Sequence, residues 1–146
     1  MRLQVTTRVN QEFRRSFSRF GRDLFLQLNP PFPPVRLLRF DGMQPGDEVH
    51  LELNFLFRKE IWISVITELV ETEDEIYFVD EGRQLPFMFR SWRHRHRLIR
   101  QGEQTLIVDD ITYQGRIKLL DYLLYPVLKL QFLYRRPVYR RWLNNG

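Results

Sequence analysis

Leu3, Val5 and Thr7 alternate with polar neighbours, and that period of two predicts an opening strand. Asn10 follows as a suitable helix N-cap. Phe13, Phe17, Phe20, Leu24 and Leu28 then recur at spacings of three and four, which puts them on one helical face, and Gly21 divides the stretch into two short helices. The run Asn29-Pro30-Pro31-Phe32-Pro33-Pro34 ends them, because proline has no amide donor and drives its predecessor out of the helical region. It reads as a stiff connector in preference to a polyproline ligand.

Period two returns from Val35 to Tyr113, with turn residues spaced as in an antiparallel meander. Val35 to Phe40 leads into a loop where Pro45-Gly46 suits the centre of a type II turn. Val49, Leu51, Leu53 and Phe55 alternate with polar residues, Ile61 to Ile66 is apolar on both faces apart from Ser64, and Glu75 to Glu81 forms another strand. Phe89 to Ile99 and Thr105 to Tyr113 make a final hairpin around Gln101-Gly102. After Gly115 a helical stripe runs through Ile117, Leu120, Leu124, Val127, Gln131, Tyr134 and Val138, with kinks expected at Pro126 and Pro137 unless Pro126 begins a second segment. The arginines from Arg135 to Arg141 complement the negative end of that helix.

These elements predict an α+β fold: a curved antiparallel sheet of six to seven strands around a long C-terminal helix, with two short helices after strand 1. The 146 residues suit a single domain, 1–146, and 43% hydrophobic against 28% charged residues is enough apolar material for one core. Cysteine is absent, which removes disulfides, thiolate metal sites and cysteine nucleophiles. No segment reads as a signal peptide or a membrane span, so the expected location is cytoplasmic. A net charge of +5 permits weak attraction to polyanions, but the arginines are scattered, and specific nucleic-acid binding is not expected.

His94 and His96 alternate on one face of a strand, about 7 Å apart along it, a spacing that two ligands of one metal can use. His50, the only other histidine, is expected about three strand spacings away, so neither a metal nor another cofactor is predicted. A two-residue loop at Gln101-Gly102 would set His94 opposite Asp109, as half of a catalytic dyad or as a satisfied polar pair. Trp92, His94, His96, Asp109, Ile111 and Tyr113 then share the concave face, and Arg93, Arg95, Arg97 and Asp110 the outer one. Space left between sheet and helix becomes a pocket. Its predicted walls add Trp62, Leu120 and Leu124 to the concave-face residues.

Three stretches resemble strands of the SRPBCC superfamily of START-like, birch-pollen-allergen-like proteins, in particular its bacterial cyclase/dehydrase-like branch. They are Phe78-Val79-Asp80-Glu81-Gly82, the segment Leu85-Pro86-Phe87 with Trp92-Arg93-His94-Arg95-His96-Arg97-Leu98, and Thr105 through Asp109 to Tyr113. Where a proline usually follows that tyrosine, this chain has Gln114-Gly115-Arg116. The resemblance implies a helix-grip fold with a hydrophobic cavity. Three roles follow as alternatives: non-catalytic binding of a small hydrophobic or aromatic molecule; a polyketide cyclase- or dehydratase-like enzyme using His94, His96 and Asp109; or an arginine-rich interaction module. Oligomeric state is not encoded in any motif.

Overall fold

The computed structural model of the chain describes residues 1–144. Among these residues, strands β1 (Arg2–Val9), β2 (Val35–Phe40), β3 (Glu48–Phe55), β4 (Arg58–Glu71), β5 (Glu75–Gln84), β6 (Phe89–Gln101) and β7 (Gln104–Gly115) form one antiparallel sheet in the order β1-β7-β6-β5-β4-β3-β2. Helices α1 (Phe13–Ser18) and α2 (Arg22–Gln27) follow β1, and α3 (Lys118–Leu133) and α4 (Arg135–Leu143) close the chain. Register shifts in β2, β4 and β6 interrupt the ladders. Such bulges bend a strand and increase its twist, and here they curve the sheet toward the helices.

The first helix is capped by Glu12 and not by Asn10: the Glu12 carboxylate accepts the backbone N–H groups of Arg14 and Arg15, while the Asn10 amide donates to the side chain of Asn144. The 44–47 turn is closed by a bond from Asp47 N to Gln44 O, with Gly46 at φ 95°, as a type II turn demands. In the β6–β7 hairpin the two loop residues are Gly102 and Glu103, one position later than expected. Gly102 takes φ 61° at the first central position, where a type II′ turn needs it. A shift of the turn by one residue moves every partner by two, so faces are kept but pairs change. His96, not His94, stands opposite Asp109, and His94 stands opposite Ile111.

The α3 stripe is a second correction. The residues it buries are Asp121, Leu128 and Phe132, whereas Ile117, Val127 and Tyr134 of the predicted stripe are exposed. Pro126 stays inside α3, and the break comes at Tyr134, which puts Pro137 in the first turn of α4, where a missing amide costs no helical hydrogen bond. Gly115 lies where α3 crosses β7: a Cβ there would sit 2.5 Å from that of Leu120. Its amide donates to the buried Asp121 carboxylate at 2.5 Å, and the Tyr113 hydroxyl donates to the Asp121 carbonyl at 2.6 Å.

Two apolar clusters fill the concave side. One gathers Leu3, Val5, Trp92, Ile111, Tyr113, Leu128 and Phe132, the other Val9, Leu24, Leu98, Ile107, Val138 and Tyr139. β1, β6 and β7 each contribute to both, and between the two contributions lies a buried polar residue: Thr7 in β1, Asp109 in β7, and His94 with His96 in β6. A polar belt therefore crosses the core; its histidines and Asp109 are hydrogen-bonded, as burial demands, while Thr7 Oγ1 finds no partner among the described residues.

Candidate functional site

On β5, Ile76, Phe78 and Asp80 continue one inward alternation, so the carboxylate at its end turns toward the core. Asp80 lies directly across from His94, and Phe78 across from His96. The hydrogen bonds run diagonally: His94 Nε2 meets Asp109 Oδ1 at 2.9 Å, and His96 Nε2 meets Asp80 Oδ2 at 2.6 Å. The two imidazoles stack with centroids 3.5 Å apart, and Phe78 stacks on the other face of His96 at 4.2 Å. From the helices, Arg135 Nη1 approaches Asp109 Oδ1 at 3.4 Å, and the Tyr139 hydroxyl donates to the same carboxylate at 3.3 Å. The Arg135 guanidinium also lies over the Phe132 ring, 4.4 Å from its centroid.

This arrangement decides which groups are charged. Burial by itself would raise Asp109, but the guanidinium of Arg135 and the bond from His94 outweigh it and hold the carboxyl at about 2. Burial likewise opposes ionisation of Asp80, and its bond to His96 prevails, leaving Asp80 below the usual carboxylate range. His96 is depressed to about 4, first by burial and then by its neighbour His94, with Asp80 offsetting only part. The Tyr139 hydroxyl is pushed up by burial and by Asp109, so it remains a donor.

A cavity of about 250 Å³ lies beside the belt, between the concave sheet and helices α2 and α3. Leu51 and Leu53 of β3, Trp62 and Ile66 of β4, and Leu24 and Leu28 of α2 form much of its apolar wall. Trp62 Nε1 donates to Ser64 Oγ at 2.8 Å, so its ring is held in place. Asp80, His94, His96 and Arg135 supply the ionisable groups of the cavity. Pro30, Pro33, Val127 and Gln131 also line it, and the Gln131 amide donates to the Phe32 carbonyl, tying α3 to the proline-rich connector.

Of the predicted site residues, Trp62, Trp92, His94, His96 and Leu124 line this cavity. Asp109, Ile111, Tyr113 and Leu120 do not. Helix α3 packs on β7, so inward side chains of that strand are sealed beneath it, and Leu120 is taken up by its contact at Gly115. The face assignment is as predicted for the hairpin: Trp92, His94, His96, Asp109, Ile111 and Tyr113 are buried together. On the outer face Arg93 pairs with Glu68, and Arg97 with Glu75. Asp80, Arg135 and Tyr139 were not anticipated as site residues. The alternation Ile76, Phe78, Asp80 was the available signal for the first, and nothing local marks the other two.

Asp80, His94 and His96 place one potential ligand atom each within 4.8 Å of one another, so the missing third metal ligand exists on β5. Stacked imidazoles are nevertheless poor chelators, since in-plane lone pairs of nearly parallel rings do not converge on one ion. Arg135 adds positive charge near the Asp80 carboxylate. The expected outcome is that purified protein retains no stoichiometric zinc, iron or copper on elemental analysis. One equivalent of metal, lost from a His94→Ala/His96→Ala variant, would show that the rings turn apart to hold it.

No protein-family model matches the sequence, and no curated protein does. The solved structures are more informative. The Zhui aromatase/cyclase from Streptomyces sp. R1128 superposes with a TM-score of 0.70 at 13% identity, over 95% of this chain and 90% of that one. The chain has the helix-grip fold. The di-domain aromatase/cyclase StfQ of the steffimycin biosynthetic pathway aligns with a TM-score of 0.71 at 11% identity, over 97% of this chain but 50% of that one. A major latex-like protein from Panax ginseng gives 0.54 at 15% identity, over 92% and 97% of the two chains. Cyclases and proteins of the latex and allergen groups thus share this helix-grip architecture, and at such identities the likeness is one of fold. Among the described residues no helix is long and apolar enough to cross a membrane.

Proposed function

We propose that the protein binds a small hydrophobic or aromatic molecule between the sheet and α3. The single observation that carries this reading is the cavity itself: nearly all its wall is apolar, and its ionisable groups, Asp80, His94, His96 and Arg135, are gathered together. Water in such a space makes few hydrogen bonds and is readily displaced, while the ionisable cluster orients whatever replaces it. A cavity of 250 Å³ suits a ligand of roughly ten to fifteen non-hydrogen atoms, since an apolar cavity of about 150 Å³ holds a benzene. An aromatic body with one hydroxyl or carbonyl matches both the wall and the ionisable cluster.

Leu124 lines the cavity from α3, so Leu124→Trp should fill it. The expected result is stoichiometric binding of naphthol-sized fluorescent probes by the parent protein, lost in the variant, with about 1–3 kcal/mol of destabilisation from overpacking. Titration calorimetry with both proteins checks it. Unchanged binding in the variant would place the ligand elsewhere.

One observation favours a second reading, a cyclase- or dehydratase-like activity. Asp109 is sealed, but His94, the Asp80–His96 pair and Arg135 reach the cavity, and a histidine depressed to about 4 is an unprotonated base near neutral pH. In this reading His96 removes a proton from a carbon acid, Asp80 orients the imidazole, and Arg135 stabilises the resulting enolate. His96→Ala would then abolish turnover of an added polyketide-like substrate while retaining its binding.

A further inference from the structure

The outward side of α3 is apolar where a solvated helix would be polar. Leu119, Tyr122, Leu123, Val127, Leu130 and Tyr134 follow one another at spacings of one, three and four, and each is 41–69% exposed. Together they make a continuous strip along four turns, of roughly 600 Å² at about 100 Å² a residue, at the upper limit of the patches that monomers leave uncovered. A second protrusion lies toward the same end of the fold. The turn between β3 and β4 exposes Leu56 and Phe57 to 89% and 79%. That turn is tied to the start of α3 through Phe87, which packs on Phe55, and through Met88, whose carbonyl accepts the amide of Arg116.

The charges along the helical strip have one sign. Arg116, Lys118 and Lys129 flank it, whereas Arg58 and Lys59 beside the exposed pair are matched by Glu60 and Glu52. Between residues 116 and 144 the only carboxylate is Asp121, which is turned into the core. Pairing α3 with a second copy of itself would set basic rim against basic rim with no acid to receive it. An anionic bilayer offers what both parts of the surface lack: hydrocarbon for the strip and phosphate for the rim. Val127 belongs to the strip and also lines the cavity. The strip and the cavity wall therefore meet at one side chain.

We infer that the apolar face of α3, with the Leu56-Phe57 turn, docks on anionic lipid surfaces and opens the cavity toward the membrane. The route for the ligand rests on the binding role proposed above; the docking itself does not. The experiment is vesicle flotation of the full chain with phosphatidylcholine alone and with a phosphatidylcholine–phosphatidylglycerol mixture, run beside Leu123→Glu/Leu130→Glu. Both substituted side chains are surface residues of α3 that do not line the cavity. The parent should float with the mixed vesicles and far less with the neutral ones, and the variant should need at least about tenfold more lipid for half-binding. Retained binding of the naphthol probe by the variant shows that the fold and cavity are intact, so the two proposals fail separately. No flotation of the parent with mixed vesicles overturns the inference. Equal flotation of parent and variant also overturns it, by assigning binding to scattered arginines. A parent dimer by sedimentation equilibrium that the same substitutions dissociate, with no vesicle binding, assigns the face to a second copy instead.

Discussion

Asp109→Ala should destabilise the protein by about 3–5 kcal/mol, the largest effect expected of any single substitution in the polar belt. The carboxylate is 1% exposed and receives Arg135, the Tyr139 hydroxyl and His94 Nε2. Its removal leaves a buried guanidinium facing two imidazoles and a phenol, with Asp80 as the remaining counter-charge. The penalty is the desolvation of a charge left without its partner, which exceeds the worth of any one hydrogen bond. The double variant Asp109→Leu/Arg135→Met removes both charges and should recover at least half of the loss, because apolar replacements of similar volume can pack in their place. Urea unfolding of the two variants and the parent decides the matter. A single-variant cost below about 1 kcal/mol would mean that water reaches Arg135 and that the belt is not a closed network.

Acid should weaken the protein well above the range in which ordinary carboxylates titrate. His96 is depressed from 6.5 to about 4 in the folded chain. Between those values the unfolded chain binds a proton that the folded chain does not, so stability rises with pH, and it is lost on acidification from about 6.5 downward. A displacement of that size corresponds to roughly 3 kcal/mol, complete near pH 4. Asp109 acts at lower pH in the same direction. Its carboxyl is held at about 2 against an ordinary 3.8, so its stabilisation is present above 3.8 and disappears as pH falls through 2. Unfolding free energies at intervals from pH 7 to 4 should decline steadily, and His96→Gln should flatten the decline above pH 4.5 or so while costing stability at pH 7. A parent profile that is level from pH 7 to 5 would show that His96 keeps its proton in the fold, and would remove the neutral base on which the enzymatic reading depends.

Much of the fold was legible because period two and period 3.6 are local properties. The alternation in Phe89 to Ile99 and Thr105 to Tyr113 assigned His94, His96 and Asp109 to one face, and a turn displaced by one residue could not undo that, since it moves partners by two. The same displacement did change who faces whom. The pair His94 and Asp109 forms in spite of it only because the bond runs diagonally.

The site was legible in part. Asp80 belongs to β5, and its place beside His94 depends on the register between β5 and β6, which no local pattern specifies. Arg135 and its neighbours suit the negative end of a helix as well as they suit a partner, and chain direction alone does not distinguish a solvated arginine from one turned under the sheet. For α3 the difficulty is different. A helix apolar on nearly all sides has no face that periodicity can choose, so Val127 and Tyr134 were placed inward and Leu128 and Phe132 were overlooked.

By itself the sequence determined the elements, their order, the inner and outer faces of the strands and the absence of thiol chemistry, all of which follow from side chains acting on their own stretch of backbone. Tertiary structure decided the crossed pairing of two histidines with two carboxylates, the burial of Arg135 against Asp109, and the sealing of β7 beneath α3. It also decided which side of α3 remained bare. These are outcomes of packing between segments far apart in the chain, where small differences in register and in the angle of a helix select among arrangements that local propensity leaves equal.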